Sequence, residues 1–455
     1  MVDSDLQDCH SQYHKIKFIS EYISNFADSN GIPFIGENEW KVLTDKYTRD
    51  EIREGFAEYI ISNKVEFPYR IIEKYEVEKK FNELRRTHFS EFIMDDSGEV
   101  IEKYDDYKYP YSKYGKFVIL FGHYYNDISN YYQQKNRYDC ASYTFKSPNE
   151  IWKDKTLLSK MNWTFNRLET QEINLDKIRE SFRLGSYVAT QFKPHVAKTI
   201  YDLVLNKSNK TGSVLDISMG WGDRLAGFYT SKAQNYMGFD PNPSVYEIYK
   251  KQCIEYEMML SGEEPVISLS KKSVKGKTYE SFLCIGKSGK VVQVVNAPAE
   301  EMLDVIRMNK FDCIFTSPPY FSTELYAQTI TEKENQSWFK YPEYDNWWNK
   351  FFKPVVTACF DSLTETGCMM FNIMDPTVKT VRYKTCDQLV DHVLNIGGKF
   401  DGQIGMRIKQ RPKKLDPAKL NKHLTTTFIE NIWCFSKNGF DLSYKPATLE
   451  SLFGD

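Results

Sequence analysis

The 455-residue sequence has no Cys-x-x-Cys pair, and its nine cysteines are scattered. An odd, unclustered set argues against a disulfide framework and against a zinc site, so no metal is expected and a reducing compartment fits. No apolar run approaches the roughly 18–20 residues that span a bilayer, so no membrane association is expected. No basic segment leads into an apolar stretch, so no secretory signal is expected and the protein reads as intracellular and cytoplasmic. Net charge is also nearly absent, at −2. That argues against a globally basic nucleic-acid binder but leaves a local basic surface open. There are no internal repeats and no low-complexity tails.

What is present divides along the chain. At roughly 100–200 residues per domain, two or three domains are expected. Residues 1–94 read as helical. "YHKIKFISEYISNF" places Tyr13, Ile16, Ile19, Ile23 and Phe26 on one helical face, and Thr48 with Glu51 has capping-box spacing. A third helix over "YRIIEKYEVEKKFNELRR" turns Tyr75, Phe81 and Leu84 inward. Residues 95–179 interleave tyrosine with lysine, arginine and amides. That texture suits either a stacking-plus-phosphate surface or a tyrosine-rich subdomain packed on its neighbour. From residue 180 to 455 short apolar runs alternate with helical segments. This pattern predicts an α/β fold, a mostly parallel sheet covered on both faces, with "TTFIENIWCFSK" as its last strand. Ligands of such sheets sit at the C-terminal ends of the strands.

The unusual residues cluster at those ends. "DISMGWGD" ends a strand at Asp216 and turns through Gly220 and Gly222, which let backbone approach a ligand closely. It is not a P-loop, because no Gly-Lys-Ser/Thr follows. It is not the full dinucleotide pattern either, because Leu225 stands where the last glycine would. Asp240 ends the next strand and can accept hydrogen bonds from both ribose hydroxyls of an adenosine; it can also serve as a helix N-cap before "PNPSVYEIY". Together the two turns point to a nucleoside-containing cofactor. "FDCIFTSPPYF" then runs from a buried strand into Ser317-Pro318-Pro319-Tyr320. The Ser317 side chain and the Pro318 carbonyl offer two acceptors to an exocyclic amine. Pro318 and Pro319 stiffen the corner and remove N–H donors, and Tyr320 offers a stacking face.

These motifs resemble the S-adenosylmethionine-dependent amino-methyltransferases of nucleic-acid bases, over roughly residues 180–440. "TSPPY" is similar to that family's catalytic motif, "DISMGWGD" to its cofactor motif and "GFDPN" to its ribose-binding motif. "NAPAEE", from Asn296, is similar to the loop that contacts the adenine ring. "YVATQFKPHVAKTIYDL" resembles the segment that closes over the methionine end of the cofactor, with Thr190, Phe192 and Pro194 matching. The run after the corner is similar to phage and large-DNA-virus enzymes. The resemblance implies a Rossmann-like fold whose mostly parallel sheet ends in an antiparallel strand, S-adenosylmethionine as cofactor, DNA (or RNA) as partner and a place in DNA methylation of the restriction-modification kind. In that family Ser-Pro-Pro-Tyr goes with N4 of cytosine, and Asp- or Asn-Pro-Pro-Tyr with N6 of adenine. Without a Pro-Cys corner no covalent base adduct is expected. Transfer would be direct, to a flipped base, with the surplus proton leaving through Ser317 or water. A binding protein that keeps the fold without the activity is the non-enzymatic alternative.

Little chain remains after the last strand to read a target sequence. The candidates are the N-terminal 180 residues, the loop after the corner, and the basic arm "MRIKQRPKKLDPAKLNKH". In that arm Arg407, Lys409, Arg411, Lys413 and Lys414 read as phosphate neutralisers, which hold a duplex in register without reading it. Residues 268–290 read as an inserted hairpin.

Overall fold

A computed structural model describes residues 2–94, 99–142, 144–161, 172–208, 212–326, 330–409 and 426–444. Their contacts form two units, residues 1–71 with 134–190, and residues 72–133 with 191–455.

The first unit is helical. Its main helices are Val2–Ser24, Glu37–Lys46, Arg49–Ser62 and Leu175–Gly185. Ile19, Ile23, Phe56, Ile60, Trp152 and Phe182 form its core. Thr48 and Glu51 make the expected reciprocal capping box. The Trp152 indole donates to the Val65 carbonyl at 2.7 Å, which satisfies its one polar group inside the core. Tyr13 does not join the inward face and is 61% exposed. Periodicity specifies a face but not how far along it a neighbour extends.

The second unit is built on a twelve-stranded sheet. In chain order its strands are β1 (Ile93–Met94), β2 (Glu99–Glu102), β3 (Gly115–Ile119), β4 (Ser213–Asp216), β5 (Asn235–Phe239), β6 (Val266–Val274), β7 (Lys277–Ile285), β8 (Val291–Val295), β9 (Phe311–Thr316), β10 (Leu363–Asn372), β11 (Lys399–Arg407) and β12 (Thr426–Ser436). Their order across the sheet is β1-β3-β11-β12-β10-β9-β4-β5-β8-β7-β6, with β2 paired to β12. The five central strands, β10-β9-β4-β5-β8, are parallel. β9 is buried throughout, as a strand covered on both faces must be, and three of the five residues of β8 are buried. β12 is antiparallel, as expected of the last strand, but it is inserted between β10 and β11 rather than placed at an edge. The hairpin expected over 268–290 is β6 and β7, turning through Lys275 and Gly276, both at positive φ.

The units cut the chain differently from the division at 94/95 and 179/180. β1 pairs with β3, β3 with β11 and β2 with β12, so these three strands belong to the sheet unit. The helix Lys74–Arg86 belongs there too. It buries Phe81 and Leu84, whereas Tyr75 is 66% exposed and Val77 takes the inward place instead. The tyrosines of 104–111 pack on this sheet. Tyr107 lies edge-on to Trp433 at 5.4 Å, and Tyr111 is buried beside β3. Among the described residues no helix is long and apolar enough to cross a membrane.

The chain runs β4, β5, β8 to one side, then returns to β9 and β10 on the other. The reversal lies between β4 and β9, where open α/β sheets form a crevice beyond the strand ends.

Candidate active site at the strand ends

Asp216 closes β4 and is fully buried. Its carboxylate accepts from Arg224 Nε at 2.8 Å, the Tyr236 hydroxyl at 2.8 Å, Thr316 Oγ1 at 2.9 Å and the Ser218 N–H at 3.2 Å. All these bonds are internal, so its part is to lock β4, β5 and β9 together. Burial alone would push the Arg224 guanidinium down; the charge and hydrogen bond of Asp216 overcome this and hold it above its ordinary value. Thr316 directly precedes Ser317, so this carboxylate also anchors the start of the corner.

The glycine turn follows. Gly220 and Gly222 have φ of 60° and 74°, where a side chain is strained. A Cβ on Gly222 would overlap the Gln252 amide. A Cβ on Gly220 would meet nothing closer than 3.9 Å. Its constraint is therefore the positive φ and not crowding. Trp221 packs against Tyr326, ring centroids 5.8 Å apart, so the segment after the corner borders the glycine turn.

Asp240 lies just beyond β5. The N-cap of the following helix, Pro243–Ser261, is Asn242, whose side chain accepts from the Ser244 N–H at 3.0 Å. Asp240 is therefore not spent on that cap. It accepts from the N–H groups of Gly220 and Asn242 at 2.9 Å each and from the Tyr249 hydroxyl at 3.1 Å. Burial pushes its carboxyl up to about 6, against the pull of those three donors. Asn296, past the end of β8, donates to the Asp240 carbonyl at 2.8 Å and ties the two strand ends together. Next to it, Glu300 and Glu301 are held by Lys340 at 2.7 and 2.6 Å.

The fourth wall is the corner itself. Pro318 is buried, and Ser317, Pro319 and Tyr320 are half-buried. Phe321 takes a left-handed φ of 54° and inserts among Tyr344, Trp347 and Tyr383. This buried cluster supports a strained residue immediately after the motif. The Tyr320 hydroxyl is not free at the end of a stacking ring. It lies 2.7 Å from Glu430 Oε1, 2.9 Å from the Asn372 carbonyl and 3.3 Å from Ser317 Oγ. Glu430 on β12 and Asn372 at the end of β10 belong to no motif that would mark them in the sequence.

Phe192 reaches the site. It lies 5.5 Å from Phe315 and under the Arg224 guanidinium at 5.4 Å. Thr190 ends the first unit and is exposed. Arg407 and Lys409 are exposed at the end of β11. β11 and β10 point the same way, so these two cations lie at the same edge of the sheet as the corner. Arg411, Lys413 and Lys414 lie outside the described residues.

A cavity of about 600 Å³ lies elsewhere, at the opposite strand ends, and Arg85, Arg86, Lys198, Asp202, Lys232 and Lys290 are among its lining residues. Two of its cations are already used. Lys198 pairs with Asp202 at 2.5 Å, and Lys290 donates to the carbonyls of Phe228, Ser231 and Ala233.

Residues 311–450 match the DNA methylase family model. The match begins at β9, takes in the Ser317–Tyr320 corner and covers under a third of the chain. The model's name spans both N6 and N4 transfer and so does not choose between adenine and cytosine. No curated protein sequence matches the chain. Among solved structures, the ribosomal protein L11 methylase of Lactobacillus delbrueckii subsp. bulgaricus is similar at 11% identity, over 53% of this chain and 79% of its own, with a TM-score of 0.26. A SAM-dependent methyltransferase from Agrobacterium tumefaciens is similar at 10% identity, over 56% and 65%, with a TM-score of 0.30. Trm1 from Pyrococcus horikoshii, solved with S-adenosyl-L-methionine, is similar at 13% identity, over 55% and 57%, with a TM-score of 0.29. At these scores the likeness decides nothing further, and the sheet order rests on its own strand pairings.

Proposed function

We propose that the protein is an S-adenosylmethionine-dependent DNA methyltransferase that methylates an exocyclic base amine, N4 of cytosine, in a flipped-out nucleotide. One observation carries this reading. Ser317 to Tyr320, which follow β9, and Gly220 with Asp240, which follow β4 and β5, lie at the same strand ends, where the order of the sheet reverses. The family match over the corner supports it.

The residues present fit the cofactor. Asp240 keeps acceptor capacity for ribose hydroxyls, and a group on Gly220 would meet nothing closer than 3.9 Å; Asn296 is bonded to the Asp240 carbonyl and Phe192 packs on Phe315 at the end of β9. When bound, the cofactor supplies a methyl group on a sulfonium. The protein's own work is placement. Ser317 Oγ and the Pro318 carbonyl accept the two amine hydrogens, which turns the nitrogen lone pair out of the ring. The Tyr320 ring covers the base face, and Arg407, Lys409, Arg411, Lys413 and Lys414 neutralise backbone phosphates. Ser317 favours cytosine over adenine. The alternative substrates, adenine N6 and RNA, are outcomes of the test.

Incubation with methyl-labelled cofactor and either duplex DNA, single-stranded DNA or structured RNA, followed by nucleoside mass spectrometry, is expected to give label on N4-methylcytosine from DNA. Label confined to N6-methyladenine overturns the base, label confined to RNA overturns the substrate, and no label overturns the enzyme class.

Cofactor binding is expected to depend on pH through Asp240. Ribose hydroxyls donate to its charged form. Since the free carboxyl titrates at about 6, affinity is complete above that pH and weakens toward tenfold per unit as pH falls below it. Calorimetry across this range checks the slope. Asp240→Asn is expected to bind more weakly and without the slope, and a variant that keeps it assigns the titration elsewhere.

A further inference from the structure

Methylating a neutral amine leaves a cation that must lose a proton. The corner that holds the amine is poor in bases. Its two prolines carry no N–H, and no ionised group belongs to the Ser317–Tyr320 motif. A carboxylate does stand behind it. Glu430, on β12, lies 110 residues away in sequence and half-buried, yet its Oε1 is 2.7 Å from the Tyr320 hydroxyl. Tyr320 in turn is 3.3 Å from Ser317 Oγ. Three oxygens therefore line up from the acceptor of the amine to a carboxylate. The Ser317–Tyr320 step is long, as catalytic hydrogen bonds often are before substrate arrives.

We propose that Glu430 is the terminal proton acceptor of this site, reached through Tyr320 and Ser317. The proposal rests on the methyltransferase reading above. The N–CH3 bond forms as the S–CH3 bond breaks, and the bonding pair stays on sulfur. The amine proton passes to Ser317 Oγ, the Ser317 hydroxyl proton to Tyr320 Oη, and the Tyr320 proton to Glu430 Oε1. The sulfonium and carboxylate charges disappear together, leaving a neutral thioether, a neutral methylamine and a neutral Glu430, which then returns its proton to solvent.

The surroundings suit these roles. Burial pushes the Glu430 carboxyl up; its bonds with Tyr320 and Asn372 and the charges of Lys103 and Lys193 pull it back, leaving it above the ordinary carboxylate range. Burial and Glu430 push the Tyr320 phenol well up, with Glu324 adding to the effect, so Tyr320 stays protonated and acts as a conduit rather than a base. Asn372 alone offers Tyr320 two oxygens, at 2.9 and 3.3 Å, which is enough to orient the ring. A carboxylate there adds proton affinity to an anchor that already exists.

The test is the pH dependence of kcat at saturating DNA and cofactor, which removes the Asp240 binding slope. In the wild type the rate is expected to rise with pH along one acidic limb to a plateau. Glu430→Gln keeps an acceptor for Tyr320 but cannot take the proton. Its plateau is expected to fall about 10–100-fold and its acidic limb to vanish, with cofactor affinity unchanged within about twofold. Tyr320→Phe keeps the ring and breaks the chain, so it should lose the same limb; it decides the matter if the Gln variant melts early. Wild-type kcat and an unaltered limb in Glu430→Gln overturn the relay alone. Wild-type protein that methylates no nucleic acid overturns the functional reading and the relay with it.

Discussion

Replacing Asp216 by alanine is expected to destabilise the sheet unit by about 3–5 kcal/mol, seen as a lower urea midpoint. The size follows from what is left behind. Arg224 is 4% exposed and would lose the carboxylate that balances its charge. Tyr236 and Thr316 would lose the oxygens that accept their hydroxyls. Removing one partner of a buried pair costs far more than the pair itself is worth, because the survivor cannot return to water. The double variant Asp216→Ala/Arg224→Met should therefore recover much of the loss. A single variant within about 1 kcal/mol of wild type would show that water or another group reaches Arg224. The same carboxylate grips Thr316, so Asp216→Ala should also loosen the corner and lower turnover in protein that remains folded.

This dual role was only half legible in the sequence. Asp216, Gly220, Asp240 and Ser317 were found because each sits at the end of an apolar run, and a parallel sheet must bring such ends to one edge. Which groups they bond was not legible. "D-x-x-x-G-x-G" looks like a ligand site, yet Asp216 is wholly internal, a Cβ on Gly222 would overlap Gln252, and of the three only Gly220 is uncrowded. The choice between ribose acceptor and helix cap for Asp240 turned on Asn242, two residues on, where the side chain takes the cap. Glu430 and Asn372 could not be seen at all. They meet Tyr320 because β12 inserts between β10 and β11, a pairing across about sixty residues that no local pattern encodes. β1 to β3 escaped for a related reason. They are two, four and five residues long, too short to show a period of their own, and they pair with a neighbour only in the folded sheet. The helical faces failed at Tyr13 and Tyr75, where the period was right and the neighbour was missing.

Ser317→Ala is expected to lower kcat by about 10²–10³-fold while leaving cofactor affinity unchanged. On the proposed reading alanine removes two things at once, the oxygen that would accept an amine hydrogen and the hydroxyl that would pass the proton to Tyr320. Ser317→Asn separates them. An amide oxygen can accept the hydrogen but cannot hand a proton on, and the family resemblance assigns Asn-Pro-Pro-Tyr to adenine. If acceptance dominates, Ser317→Asn should restore most of the rate, and product analysis will show whether the amide changes which base carries the methyl group. If the relay dominates, Ser317→Asn should be as slow as Ser317→Ala and should lack the acidic limb assigned to Glu430. Single-turnover rates across pH for the three proteins decide between these outcomes. Wild-type rates in Ser317→Ala would remove the corner from the chemistry altogether. Asp216 would then be gripping a structural turn, and the 3.3 Å gap between Ser317 and Tyr320 would be a packing distance rather than a path.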